Sequence, residues 1–178
     1  MDALEPKQLG QEAQAEYNKG DYPSAARLFK AAADGFSAQG DELSAAEMAN
    51  NSSVALLKAG EASSALAAAS GTDLILAAKG DLKRHAMALG NQAAALEDLK
   101  RFEEARQKYE QSADLLKEAG EFELRAYVLQ ALSSLQLRSG QYLEAYATMR
   151  AGVMGMKKKN LQQKILQALM DIPFKFLK

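Results

Sequence analysis

Glycine recurs along this chain at a spacing of 20 residues and is followed in most cases by an acidic residue. Glycine adopts the left-handed backbone conformation that ends a helix at little energetic cost. A carboxylate on the following residue can cap the next helix. The series predicts helices of roughly 16–18 residues joined by turns of two to four residues. The pairs are Gly20-Asp21, Gly40-Asp41, Gly60-Glu61, Gly80-Asp81, Gly120-Glu121 and Gly140-Gln141.

Only Lys100-Arg101 interrupts the series. That turn must either close by another geometry or hold a non-glycine residue in the left-handed conformation, at a cost of roughly 1 kcal/mol.

Two apolar stripes alternate between successive predicted helices. Odd-numbered helices place a small residue at positions 13, 53, 93 and 133, which lets two helices approach closely. In the even-numbered helices the stripe residues are spaced alternately three and four positions apart, so they form one core-facing stripe along each helix. The even stripes are Tyr22, Ala25, Phe29, Ala32 and Phe36; Ala62, Ala65, Ala69, Thr72 and Leu76; Phe102, Ala105, Tyr109, Ser112 and Leu116; and Tyr142, Ala145, Met149, Gly152 and Met156.

The structural period is therefore 40 residues, and the repeating unit is a helical hairpin. Four hairpins are predicted at about 5–39, 41–79, 81–119 and 121–158, in a single all-α domain over residues 1–178. A ninth segment, 160–177, carries Leu161, Ile165, Leu169 and Ile172 on one face. It is predicted to be a helix that caps the open end of a solenoid.

The second helix of the third hairpin carries an aromatic residue, alanine three positions later and a second aromatic four after that, at Phe102, Ala105 and Tyr109. This pattern resembles the tetratricopeptide repeat, although the period is longer than that family's usual one of about 34 residues. With Leu89–Asn91 reading Leu-Gly-Asn, the chain is similar to a tetratricopeptide subset with extended helices. The resemblance covers about nine-tenths of the chain.

The resemblance implies a right-handed α-α superhelix whose concave face is lined by the first helix of each hairpin. Such a face would bind a peptide or a helical segment of a partner protein. Aligning the hairpins predicts that the groove is lined by Gln11, Gln14, Asn50, Asn51, Val54, Met87, Asn91, Tyr127, Gln130 and Ser134.

Asn51 and Asn91 occupy the same groove position in two hairpins. A carboxamide has both a donor and an acceptor, so it can pair with the backbone of an extended peptide. Alternatively, each side chain bonds to the neighbouring hairpin and sets the repeat spacing. The sequence leaves both roles open.

Composition excludes several classes of function. The 22 basic and 23 acidic residues give a net charge of −1, which provides no electrostatic footprint for nucleic acid. There is no cysteine, and His85 is the one histidine, so the sequence offers neither a metal site nor a catalytic triad. We predict no enzyme activity and no cofactor.

Without a signal-peptide pattern or an apolar run of about 18 residues, we predict a cytoplasmic protein with no membrane span.

The function predicted from these observations is that of a non-catalytic protein–protein interaction module, or scaffold, that binds a peptide or helical segment. The alternative is a self-associating assembly subunit, a homodimer formed through the C-terminal helix and the apolar tail of the chain.

Overall fold

The computed structural model describes residues 5–156 and Lys164, and all regular structure within them is helical. The predicted terminal helix at 160–177, with its expected role as cap or dimer contact, lies outside the described residues except for Lys164. The helices are α1 Pro6–Lys19, α2 Tyr22–Ala38, α3 Glu42–Lys58, α4 Ala62–Ala69, α5 Thr72–Ala78, α6 Leu82–Asp98, α7 Phe102–Glu118, α8 Phe122–Arg138 and α9 Tyr142–Gly155.

The chain forms two compact units, Met1–Lys108 and Tyr109–Lys178. In the first unit α1 packs against α2, α2 against α3, and α3 against α4, while α6 packs against α3, α4 and α5. In the second unit α8 packs against α9. Helices therefore pack against their neighbours in chain order, and this confirms the predicted all-α, solenoid-like class of fold.

The predicted turns share one backbone geometry. The residue after each turn glycine donates its amide to the carbonyl five residues earlier, as from Asp21 to Glu16 at 3.0 Å. This bond belongs to the Schellman motif, which needs a left-handed residue just past the helix end. The left-handed glycines of these turns, with φ between 71° and 86°, are Gly20, Gly40, Gly60, Gly80, Gly120 and Gly140.

Lys100 closes its turn in the same way, with a left-handed φ of 64°. The amide of Arg101 donates to the carbonyl of Leu96 at 2.9 Å, as in the glycine turns. Of the two geometries that the sequence allowed here, the structure has the left-handed non-glycine residue. The turn therefore keeps its hydrogen bonds and carries the steric strain of a side chain.

Lys100→Gly is expected to raise the free energy of unfolding by about 1 kcal/mol, because glycine adopts this backbone conformation without steric strain. Gly120→Lys is the reciprocal control, since a Cβ at Gly120 meets no atom within 4 Å. We expect it to lower the free energy of unfolding by a similar amount, through the backbone alone. Urea unfolding measures both changes, and three proteins of equal stability would contradict the assignment of strain to Lys100.

Aspartate and glutamate behave differently at the helix starts. The side chains of Asp21, Asp41 and Asp81 each accept a hydrogen bond from the amide three residues later, at 3.1, 3.0 and 2.9 Å. Glu61 and Glu121 make no such bond. The predicted capping is confirmed for the aspartates and is wrong for the glutamates, whose extra methylene makes them poorer caps than the shorter side chain.

The core lies where the two stripes meet. Ala13, Ser53 and Ala93 are fully buried, and this matches the prediction of small residues where helices approach closely. Most of the stripe of the even-numbered helices is buried, although Phe36, Met149 and Met156 are half-buried. Its first position is partly exposed, with Phe102 39% and Tyr142 70% exposed. Our expectation that Phe102 packs in the core is wrong, because the first residue of a helix lies at the margin of the core.

The fourth predicted helix is broken in two. Residue Ser70 is extended and Gly71 is left-handed, with φ of 79°, so α4 ends at Ala69 and α5 begins at Thr72. The sequence pattern continues in register across the break, and only the glycine hinted at it. The break leaves the carbonyl at the end of α4 without its helical partner.

Buried side chains satisfy that end of α4. The hydroxyl of Thr72 and the Nε2 of Gln92 donate to the Ala69 carbonyl, at 2.8 and 2.9 Å. Gln92 Nε2 also donates to Oδ1 of the buried Asp73 at 2.9 Å, and Lys108 Nζ lies 3.4 Å from Oδ2 of Asp73. Through Gln92 and Lys108 the break between α4 and α5 is connected to α6 and α7.

Candidate functional site: a groove between α3 and α6

An open groove of about 440 Å³ runs between α3 and α6 within the first unit. Both helices are the first of their hairpins, as the family resemblance implied for a binding face. We refer to this site as the α3–α6 groove, which is lined by Glu47, Met48, Asn50, Asn51, Leu76, Asp81, Lys83, Arg84 and Met87.

Asn50 and Asn51 line this groove, whereas the predicted groove residue Asn91 is not among its lining residues, and the three differ in their hydrogen bonding. Asn91 Nδ2 donates to Oδ1 of the buried Asn50 at 3.0 Å, which ties α6 to α3. The half-buried Asn51 has no side-chain hydrogen bond among the described residues and lines the groove. Asn91 therefore bridges the two helices, whereas the donor and the acceptor of Asn51 have no side-chain partner among the described residues.

One cation and two carboxylates of the groove lining pair with one another. Arg84 on α6 forms an ion pair with Glu47 on α3, and a second one with Asp81 at 3.2 Å. All three side chains are partly exposed, so solvent screens the interaction and each pair contributes little to stability. The pairs hold the arginine against two carboxylates, which makes it a poor receptor for a further carboxylate from a ligand.

Apart from the exposed Lys83, the remaining lining of the groove is apolar. Leu76 is buried, Met48 is half-buried and Met87 is 42% exposed. Methionine is flexible and polarisable, so it adapts to apolar side chains of different shapes. The groove thus combines an adaptable apolar surface with one carboxamide that makes no side-chain hydrogen bond to the part of the chain that the structure describes.

The other residues predicted to line the binding face lie outside this groove. Gln11 and Gln14 are exposed on α1, where Gln14 Nε2 donates to Asn18 Oδ1 at 3.0 Å. Val54 is half-buried on α3 and is not among the lining residues. The last three are exposed on α8 in the second unit: Tyr127, Gln130 and Ser134.

The sequence left open a bond from Asn91 to the neighbouring hairpin but did not predict its partner Asn50, and it did not predict the Glu47–Arg84 ion pair. Each joins residues about one repeat apart, separated by 41 and 37 positions. The 40-residue period could have indicated these contacts, because residues one period apart occupy equivalent positions on adjacent hairpins. Periodicity alone does not tell which of the neighbouring polar residues bond to each other.

A larger groove, of about 730 Å³, lies between α2, α3 and α4. Alanine is the most frequent residue of its walls, which also carry the charged residues Arg27, Lys30, Asp34 and Glu61. None of its lining residues is an asparagine or glutamine, so it has no carboxamide with which to pair a peptide backbone.

The comparisons with known proteins identify no family. No protein-family model matches the chain, and no curated protein matches it significantly. Within residues 5–156 there is no cluster of three His, Cys, Asp or Glu side chains arranged to hold a metal ion. The helices of that range include none with the length and apolar character needed to cross a bilayer.

Proposed function

We propose that this protein is a non-catalytic interaction module of the tetratricopeptide type, and that the α3–α6 groove binds an extended peptide segment of a partner protein. The observation that carries the proposal is Asn51, a groove-lining carboxamide without a hydrogen-bond partner among the described residues. A polar group placed beside apolar surface loses hydration when a ligand covers it, so the ligand must supply the missing hydrogen bonds.

An extended peptide meets this requirement. Its backbone presents one N–H and one C=O on the same edge of a residue, which match the acceptor and donor of the Asn51 carboxamide. An apolar side chain of the peptide would then pack on Met48 and Met87. Because Arg84 already pairs with Glu47 and Asp81, it is a poor anchor for an anionic group of the peptide.

The cytoplasmic location and the role as a scaffold that we expect from the sequence are part of this proposal. The absence of cysteine is compatible with a reducing compartment.

The test uses peptides selected from a random phage-displayed library on the immobilised wild-type protein. Asn51→Ala is expected to weaken the binding of the selected peptides about fivefold to tenfold, the effect of one lost hydrogen bond of about 1 kcal/mol. Its melting temperature should stay close to that of the wild type, since the Asn51 side chain has no hydrogen-bond partner among the described residues. Gln107→Ala, on the exposed surface of α7, is the matched control and should leave affinity unchanged.

Asn91→Ala tests the opposite role. We expect a loss of about 1–2 kcal/mol in the free energy of unfolding, because the buried Asn50 then lacks its donor. Isothermal titration calorimetry and thermal unfolding, on both variants, separate the two roles. Selected peptides that bind Asn51→Ala as tightly as the wild type, or a library that yields no binder, would overturn the proposed function.

A further inference from the structure

Helix α9 has an exposed apolar stripe in the second unit. Its members follow one another at spacings of four, four and three residues, so they lie on one side of the helix. Leu143 is 83% exposed and Met154 is 48% exposed. The α9 stripe consists of Leu143, Ala147, Ala151 and Met154, all of them exposed.

The repeat itself does not require this stripe to be apolar. The equivalent positions of α7, 40 residues earlier, are all polar, and those of α2 include a cation and an anion. In the second hairpin the helix breaks at these positions, at Gly71, so no continuous stripe exists there. The residues of α7 are Glu103, Gln107, Gln111 and Asp114, and those of α2 are Pro23, Arg27, Ala31 and Asp34.

The order of side-chain sizes along the stripe is symmetric: large, small, small, large. When two such helices pair antiparallel about a two-fold axis between Ala147 and Ala151, the alanines of one helix face those of the other. Leu143 of one helix then lies near Met154 of its mate. Small residues at the centre let the helices approach closely, and the large residues pack at both ends.

We propose that the α9 stripe is the contact surface for a second copy of this chain, with the two α9 helices antiparallel. This interface is separate from the peptide groove. It also differs from a dimer formed through residues 160–177, because its contacts lie within the described part of the chain.

Charge favours the antiparallel arrangement over the parallel one. The stripe contains no charged residue, and Glu144 lies beside its N-terminal end. A parallel pair would place the two Glu144 carboxylates next to each other, whereas an antiparallel pair separates them towards opposite ends. In the sequence three lysines, Lys157–Lys159, follow the opposite end of the helix. Antiparallel helix dipoles also attract each other.

The first experiment is sedimentation equilibrium of the full chain. One helix pair is a small interface, so we expect weak dimerisation that requires a concentration series up to several hundred micromolar, a scale of about 10⁻⁴ M for weak contacts. Ala147→Glu is expected to raise the dimer dissociation constant at least about tenfold, because it buries like charges on both sides of the axis. Gln107→Glu, at the equivalent position of α7, is the matched control and should leave the constant unchanged.

The second experiment measures orientation, using the absence of native cysteine. An equimolar mixture of Ala147→Cys and Ala151→Cys proteins is expected to form disulfide-linked dimers between the two variants under mild oxidation. Each variant alone should link far less, since a disulfide requires Cα atoms within about 7 Å. A chain that is monomeric at every concentration, an unaffected dimer in Ala147→Glu, or preferential linkage of identical variants would overturn the proposal.

Discussion

Leu76→Ala is expected to lower the free energy of unfolding by about 3 kcal/mol, the typical result of removing a buried leucine side chain. Leu76 is 1% exposed and belongs to the core cluster that Ala46 and Ala88 form with it. Its neighbours are alanines on the two long helices α3 and α6, whose backbones cannot easily close in on the space. We therefore expect a cavity to remain.

The same helix supplies the control for this prediction. Leu74 is 70% exposed on α5, two residues from Leu76. Leu74→Ala removes the same atoms at nearly the same helix position, and it should change the free energy of unfolding by no more than about 0.5 kcal/mol. Urea unfolding followed by circular dichroism measures both variants. A similar loss of unfolding free energy in the two variants would show that the loss at Leu76 comes from helix propensity and not from core packing.

Asp73→Ala is expected to lower the free energy of unfolding by about 2–3 kcal/mol at neutral pH. Gln92 would lose one of its two buried acceptors, and the ammonium of Lys108 would lose its carboxylate. The Ala69 carbonyl would keep its bonds from Thr72 and Gln92. The expected loss is therefore smaller than that from dismantling the whole network at the break between α4 and α5.

The pH dependence of stability identifies the charge contribution of Asp73. Burial acts to raise the pKa of this carboxyl, but the hydrogen bond from Gln92 and the charge of Lys108 outweigh it and lower the pKa below its ordinary value. A group with a lowered pKa in the folded state stabilises the fold above its unfolded pKa. That stabilisation disappears as the pH falls through the folded value, below about pH 4.

Asp73→Asn retains the shape of the side chain and removes the charge. We expect the stability difference between the wild type and this variant to be largest near pH 7 and to shrink below about pH 4. Urea unfolding at a series of pH values measures the difference. Asp114→Asn, at an exposed position of α7, serves as the control. A difference that stays constant down to pH 3 would exclude a stabilising charge at Asp73.

Much of the fold was predictable because local backbone physics determines it. Glycine at a fixed spacing requires left-handed turns, and Lys100 adopts the same geometry because the hairpin must close there in the same way. The 17-residue lengths of α3 and α6 follow from the spacing of those turns. The break at Gly71 was less predictable, because the apolar pattern continues across it.

The candidate site was predictable only in outline. Repeat alignment identified the α3 and α6 positions that carry Asn51 and Met87, and the structure places both on one groove. The same alignment proposed Gln11 and Gln14, which lie exposed on α1 outside that groove. A pattern specifies the side of a helix on which a residue lies, but a groove also depends on how far apart two helices are held.

Apart from the break between α4 and α5, the sequence by itself determined where the helices begin and end and which of their sides face inward, because glycine conformation and apolar periodicity act within a few residues. Only the tertiary structure decided that Asn91 is bonded to Asn50 and that Asn51 is not bonded within the described residues. The two side chains are the same and occupy equivalent repeat positions. Their difference arises because a hydrogen bond forms with whichever partner packing brings within about 3 Å, here one 41 residues away in the chain.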